Sequence, residues 1–227
     1  MIYPFRSQGW AGWTQPRSIA IEGPMRAGKS SLAALLAHHW GAQRIAERED
    51  NPFLPYFYRG EAGAAFAAQM WFLEERRRTL CVRPMAQEPT PVVADFLLAK
   101  DKIYASLNLN DAELATYNRR YAQVTQGVQA PDLVIYLQAS PRTLRSRIRS
   151  KGLRAERRIA EDYLEQVVRA YEHFFFHYTA SNLLVVNTDA LDFVRNSGDL
   201  QRLLRRLREP VRGTEYFAPV SAQAASA

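Results

Sequence analysis

With one cysteine in 227 residues, Cys81, the chain has no partner for an intrachain disulfide and no basis for a cysteine-ligated zinc cluster. Cys81 itself reads as a small buried hydrophobe on a helix rather than a catalytic thiol. Apolar runs long enough to span a bilayer are missing as well, which argues against a transmembrane helix. The opening residues "MIYPFRSQGWAGWTQPR" (1–17) hold no contiguous apolar segment followed by a small-residue cleavage site, so no secretory signal is expected. These absences point to a cytoplasmic protein. There are no internal repeats and no interdomain linker. A hydrophobic fraction of 47% excludes a disordered chain and suits one domain with a full core.

Charge is the first positive signal. The net charge of +7 is concentrated in "RTLRSRIRSKGLRAERR" (142–158) and "QRLLRRLREPVR" (201–212). On composition alone these stretches suit a solvated helix face, a nucleic-acid patch or a clamp for a polyphosphate.

Short β-branched runs alternate with helical patterns. "SIAIE" (18–22), "AQRIA" (42–46), "PVVADF" (91–96), "DLVIYLQ" (132–138) and "LLVVNT" (183–188) are continuous apolar runs of the kind buried in parallel sheets. Leu114, Tyr117, Tyr121, Val124 and Val128 recur at helical steps, as do Leu164, Val167, Val168, Tyr171, Phe175 and Tyr178. The expectation is an α/β fold in three layers, a parallel sheet of about five strands covered by helices on both faces. Residues 1–16 read as a loose extension, 17–217 as a single domain and 218–227 as a low-complexity tail.

"GPMRAGKSS", residues Gly23, Pro24, Met25, Arg26, Ala27, Gly28, Lys29, Ser30 and Ser31, has the spacing G-x-x-x-x-G-K-S. It follows a predicted buried strand and opens a predicted helix, "SSLAALLAHHW" (30–40), the context a phosphate-binding loop needs. Backbone amides would then cradle a nucleoside triphosphate, Lys29 would reach its terminal phosphates and the Ser30 hydroxyl would ligate Mg²⁺. Arg26 is the unusual member, a long cation in mid-loop.

The loop does not identify the phosphate acceptor. Asp95 ends a buried strand where a second metal-shell carboxylate would sit, and Glu47, Glu49 and Asp50 follow another strand at the same sheet edge. On the helix pattern "AAFAAQMWFLEERRRTL" (64–80), Phe66, Met70, Leu73 and Leu80 form an apolar stripe. Gln69 and Arg76 border it, seven residues apart and so on one face. An inward-facing glutamine can make paired hydrogen bonds to a base edge.

Taken in order, "IEGPMRAGKSS", "NPFLPYFY", "FAAQMWFLEERR", "VADFLLAKDKIYASL", "PDLVIYLQAS", "RIRSKGLRAERRIAEDYLEQVVRAYEHFF" and "DALDFV" resemble the deoxynucleoside kinase family, in particular its short bacterial deoxyadenosine/deoxyguanosine type. The resemblance runs over roughly 17–217. It implies a P-loop kinase fold, phosphorylation of a deoxynucleoside 5′-hydroxyl by ATP with Mg²⁺, and a homodimer packed through helices that include the one near 64–80. It implies base contacts from Gln69 and Asp101, a sugar 3′-hydroxyl held by Tyr58 and Glu156, and a role for Arg76 at the end of the glutamine helix. Asp95 falls near Mg²⁺ and the 5′-hydroxyl. Segment 145–158 corresponds to an arginine-rich lid, with Arg147 and Lys151 as its matching cations, which reassigns that basic stretch from nucleic acid to phosphate.

The chain departs from the family pattern in three places. The family's general-base glutamate falls at Ala46 in strict register, and a one-residue shift gives Glu47, with Glu49 as second choice. Phe96 stands where many members carry arginine. The second lid arginine falls at Leu153, beside Arg154. The favoured expectation is a kinase of purine deoxynucleosides, with Glu47, Asp95, Lys29 and Arg147 as its catalytic groups. A nucleoside monophosphate kinase of thymidylate type and a non-catalytic P-loop binder of nucleotide or nucleic acid are the rivals.

Overall fold

The structure, a computed structural model, describes residues 16–82, 90–151 and 156–218. Expectations for the extension (1–15), Leu153, Arg154, the tail beyond residue 218, and the side chains of Cys81 and Lys151 lie outside the described residues.

Six strands form one parallel sheet: β1 (Ser18–Glu22), β2 (Gln43–Ile45), β3 (Val92–Ala94), β4 (Leu133–Gln138), β5 (Asn182–Asn187) and β6 (Thr214–Phe217). Their order is β2-β3-β1-β4-β5-β6. The helices are α1 (Lys29–Trp40), α2 (Leu54–Phe57), α3 (Ala64–Val82), α4 (Lys100–Asn108), α5 (Asp111–Val124), α6 (Pro141–Lys151), α7 (Glu161–Phe176) and α8 (Ser197–Arg206), with a 3₁₀ turn at Glu156–Arg158. No helix among the described residues is long and apolar enough to cross a membrane.

The period of two along each strand divides the core into two layers. Ile19 and Ile21 of β1, Leu133, Ile135 and Leu137 of β4, and Leu184 and Val186 of β5 pack with Leu32 and Leu36 of α1, Leu144 of α6 and Leu203 of α8. Ala20, Val134, Tyr136, Leu183 and Val185 face the other way, against Ile103 of α4 and Val167, Tyr171 and Phe175 of α7. Strands buried on both faces cannot alternate in polarity, which is why they read as unbroken apolar runs.

The sheet of six agrees roughly with the expected count of about five, β6 being the strand with no sequence signal. "TEYF" alternates exposed and half-buried residues at the sheet edge beyond β5, so its sequence has no apolar run. Two helical periodicities overran their helices: Val128 lies past the end of α5 and Tyr178 past the end of α7, although both side chains still pack on the core. α5 begins at a reciprocal cap, Asn110 Oδ1 accepting from the Glu113 amide at 3.0 Å and Glu113 Oε2 from the Asn110 amide at 3.1 Å.

Strand order places the site. β1 lies between β3 and β4, so the segments leaving β1, β2 and β3 emerge side by side at the carboxyl edge of the sheet. Open parallel sheets bind ligands at this edge.

Candidate active site

The glycine loop connects β1 to α1. Gly23 passes so close to β4 that a Cβ there would stand 2.6 Å from the Leu137 carbonyl oxygen, which leaves no room for any other residue. Gly28 has a φ of 110° and caps α1 with no side-chain hydrogen bond, and the first turn of α1 contains no acidic residue. The first amides of α1 and its positive dipole end are thus left for an anion. Lys29 Nζ folds back over the loop and donates to the carbonyls of Gly23 (2.8 Å) and Pro24 (3.1 Å). Burial, and after it the neighbouring Lys100 ammonium, lower the Lys29 pKa to about 8.

Beside the loop lies a largely buried charged cluster built from four elements, β2, β3, α3 and α4. Asp95, just past β3, accepts the Glu47 amide on Oδ1 at 2.6 Å and the Arg44 guanidinium on Oδ2 at 2.9 Å. The segment after β2 is thereby fastened so that the Glu47 side chain turns inward. Glu47 accepts from Arg76 of α3 on Oε1 (2.6 Å from Nε, 2.5 Å from Nη2) and from Lys100 of α4 on Oε2 (2.6 Å). Burial alone would raise the Glu47 pKa; Arg76 and Lys100 outweigh it and, with help from Lys29, hold it at about 2. Glu49 and Asp50 are exposed, Asp50 in an ion pair with Arg48. The structure brings Glu47, not Glu49, into the cluster.

The cluster continues along α3. Arg76 also donates to Asp101 Oδ1, and the Gln69 amide nitrogen donates to the same carboxylate oxygen and to the Asp101 carbonyl (3.0 Å). Gln69, Arg76 and Asp101 are all buried. Asp101 Oδ2 has no hydrogen-bond partner among the described residues. Asn51 secures the adjoining wall, donating to the Ala68 carbonyl of α3 (2.9 Å) and accepting the Phe53 amide (2.9 Å). That is the local reason for "NPFL": one buried amide side chain holds the turn before α2 against α3. Tyr58 follows α2, and its phenol is pushed up to about 12, first by burial and then by the Glu156 carboxylate.

A phosphate loop, a carboxylate held among cations and a glutamine–aspartate pair thus adjoin at the carboxyl edge of the sheet. Residues 19–212 match the sequence profile of the deoxynucleoside kinases. The chain belongs to the deoxynucleoside kinase family. It is 34% identical over 198 residues to a deoxyguanosine kinase of Bacillus subtilis, covering 84% of this chain and 96% of that one. A deoxyadenosine kinase of Lactobacillus acidophilus is 29% identical over 209 residues, covering 86% and 96%. Among solved structures, deoxyadenosine kinase from M. mycoides with bound dATP superposes with a TM-score of 0.73 at 27% identity, covering 85% of this chain and all of that one.

Against the family pattern, hydrogen bonds join Glu47, Arg76, Asp95, Gln69 and Asp101 as one connected group, and the Lys29 charge acts on Glu47. Glu156 binds Arg26 of the loop, and its charge acts on the Tyr58 phenol. Arg147 differs from expectation. Its Nη1 donates to the Ala27 carbonyl (3.0 Å) and Thr188 Oγ1 (3.2 Å), and its Nη2 to the carbonyls of Thr188 (2.6 Å) and Leu191 (3.4 Å). The guanidinium ties the phosphate loop to the segment after β5, and a role over the phosphates would require those contacts to be given up. Phe96 is a core residue packed with Ile45, Val92 and Ala94, so it contributes no charge to the site.

Sequence reasoning missed Lys100, Arg44 and the buried Glu22. Glu22 accepts the amides of Gly23 (2.8 Å) and Leu97 (2.7 Å) and the Tyr171 hydroxyl (3.1 Å), joining the start of the loop to the chain that follows Asp95.

A Mg²⁺ ion fits the donor chemistry. The exposed Ser30 hydroxyl opens α1 and the Asp95 carboxylate ends β3, a hard all-oxygen pair of the kind that leaves the remaining positions to water and phosphate. Each Asp95 oxygen accepts one hydrogen bond to a described residue and has a further lone pair to offer.

Proposed function

We propose that the chain transfers the γ-phosphoryl group of ATP to the 5′-hydroxyl of a purine deoxynucleoside. The observation that carries this reading is Glu47, a half-buried carboxylate kept ionised by Arg76 and Lys100 beside the phosphate loop and joined through Arg76 to the Gln69–Asp101 pair. The relatives named as deoxyguanosine and deoxyadenosine kinases support the purine.

In the proposed step the 5′-oxygen forms a bond to Pγ while the bond from Pγ to the β,γ-bridging oxygen breaks. ADP leaves with that electron pair, and the hydroxyl proton passes to Glu47 and then to solvent. A carboxylate with a pKa of about 2 is a weak base. Glu47 therefore acts mainly by accepting the hydroxyl hydrogen bond and fixing the oxygen in line, which suffices for a loose, metaphosphate-like transition state. Lys29 exchanges the carbonyls of Gly23 and Pro24 for phosphate oxygens, and the loop amides with the α1 N-terminus take the remaining charge. Mg²⁺, held by Ser30 and Asp95, would supply charge neutralisation on the triphosphate. Gln69 and Asp101 read the base edge, and Tyr58 with Glu156 holds the 3′-hydroxyl.

The basic composition has a structural outlet that does not involve nucleic acid. Arg202 pairs with Asp199 and Arg206 with Glu215 within the 201–212 stretch region, and Arg147 is taken up by carbonyls. A cytoplasmic homodimer packed through helices that include α3 belongs to the same proposal and is checked by sedimentation. The activity is tested with ATP against deoxyguanosine, deoxyadenosine, deoxycytidine, thymidine and their monophosphates, scoring the phosphorylated product. Purine deoxynucleosides are expected to react. Turnover of monophosphates alone, or ADP release that no acceptor stimulates, would overturn the reading.

A further inference from the structure

Among the described residues Arg26 is the one non-glycine with a positive φ, 61°. A left-handed backbone is unfavourable for a side-chain-bearing residue, a cost glycine would not incur. What the arginine brings in return is a guanidinium on the phosphate loop, and that guanidinium is engaged. Its Nε lies 2.9 Å and its Nη2 2.7 Å from Glu156 Oε2, with the two side chains 31% and 14% exposed. Tyr58 stands in the same field: the Glu156 charge raises its pKa and the Arg26 charge opposes that rise. Arg26, Glu156 and Tyr58 thus form a cluster between the donor loop and the acceptor side.

Four other cations of the site are committed elsewhere. Arg147 is bound to the carbonyls of Ala27, Thr188 and Leu191, Arg76 and Lys100 to Glu47, and Lys29 to the carbonyls of its own loop. Arg26 belongs to the donor site by sequence and to the acceptor site by contact.

We propose that Arg26 is a further catalytic residue, a phosphate-binding guanidinium that Glu156 holds until an acceptor hydroxyl replaces it. This rests on the reading of the chain as a deoxynucleoside kinase whose Glu156 receives the sugar 3′-hydroxyl. A hydroxyl that donates to Glu156 competes with the guanidinium for the same oxygens. Exchanging an ion pair for a hydrogen bond from an uncharged hydroxyl is unfavourable by itself. The exchange becomes favourable when the displaced guanidinium finds another anion, and the γ-phosphate, cradled by the loop that carries Arg26, matches its bidentate geometry. Donor and acceptor then favour each other's binding, and the extra cation reaches the migrating group when both substrates are present.

The alternative is a fixed strut in which Arg26 shapes the sugar site and never meets phosphate. Kinetics separate the two. Arg26→Gly suits the φ of 61°, and a melting temperature close to wild type will show that the loop is intact. With ATP and the better purine deoxynucleoside, the proposal expects kcat to fall on the order of 10²–10³-fold. KM for the deoxynucleoside should stay level or fall, because a competitor for Glu156 has gone, and Arg26→Lys should recover part of kcat. The 2′,3′-dideoxynucleoside, lacking the 3′-hydroxyl, should lower wild-type kcat strongly and that of Arg26→Gly much less. A kcat within threefold of wild type for Arg26→Gly, a raised acceptor KM at unchanged kcat, or the same fold loss with both acceptors would overturn the proposal and leave the kinase reading standing. A wild-type enzyme that phosphorylates no deoxynucleoside would overturn the kinase reading itself.

Discussion

The side chain of Asp95 holds the main chain of Glu47: Asp95 Oδ1 accepts the Glu47 amide at 2.6 Å. One carboxylate therefore sets the position of the other. Asp95→Asn can present its NH₂ to that amide, or keep its oxygen there and turn the NH₂ toward Arg44, and in either case a charge-assisted contact is lost. The expected outcome is a 10- to 100-fold loss of kcat, on the order of 1.4–2.7 kcal/mol in the barrier, with circular dichroism unchanged. An Asp95→Asn enzyme with full kcat would show that Glu47 needs no such support.

Lys29 and Lys100 give a pH test with a defined sign. In the proposed mechanism Lys29 binds phosphate as a cation, and its pKa of about 8 is lowered by burial and then by Lys100. The value of kcat/KM for ATP, which reports the free enzyme, should fall as pH rises through about 8. Bound triphosphate raises the Lys29 pKa, so kcat should hold to a higher pH. Lys100→Met removes the repelling charge and should move the kcat/KM limb upward, while lowering kcat about tenfold or more through Glu47. A limb that stays put in Lys100→Met would dissociate the two lysines.

Glu47 predicts what happens in acid. Its carboxyl has a folded-state pKa lowered to about 2 from 4.5, so it stabilises the fold fully above about pH 4.5 and loses that contribution as pH falls towards 2. The kcat profile should show no acid limb from this residue between pH 5 and 7. Glu47→Gln should lower kcat by 10²-fold or more, the range of a lost acid–base contact, with a smaller change in nucleoside KM, and should make the acid unfolding midpoint less dependent on pH below 4.5. An acid limb near pH 6 that disappears in Glu47→Gln would contradict the ion-paired geometry.

Arg76 holds two acids from a fully buried position, with Asp101 on one side and Glu47 on the other. Arg76→Leu leaves both without their principal cation. Breaking a buried pair in this way costs about 3–5 kcal/mol, which for a chain of this size lowers the melting temperature by roughly 6–20 °C. Calorimetry on Arg76→Leu and on Arg76→Leu/Asp101→Leu separates the causes. The double variant should recover part of the loss, because the uncompensated carboxylate has been removed as well.

Gly23→Ala is the simplest structural test. Its added Cβ would meet the Leu137 carbonyl at 2.6 Å, a backbone atom that cannot turn aside. The expected outcome is loss of several kcal/mol of stability, as for other overpacked sites, or failure to fold. Gly28→Ala, which meets open space but has a φ of 110°, should cost less stability and chiefly weaken ATP binding.

The sheet was legible because burial on both faces leaves an unmistakable pattern, and β6 was not, because "TEYF" lies at an edge where one apolar face is enough. The loop could be read from spacing, since each glycine has one steric task. Gln69 and Arg76 could be placed on one face by counting residues; their common target, Asp101, came from the resemblance. Lys100 escaped because a lysine near the start of a helix ordinarily belongs in solvent, and only tertiary packing places it on Glu47. Arg147 shows the converse: an arginine in a basic stretch looks available for phosphate, yet its donors are occupied by main-chain oxygens that no sequence pattern reveals.

The line Gln69–Asp101–Arg76–Glu47–Lys100 also bears on how this protein can be altered. Engineers who want a different nucleobase accepted will turn first to Asp101, the proposed base reader, but its carboxylate shares one guanidinium with Glu47, proposed to align the attacking oxygen. Taste and tempo are wired together here. Libraries that vary Asp101 alone should trade speed for every change in preference, whereas libraries that vary positions 69, 76 and 101 as a set can search for new selectivity without detuning Glu47.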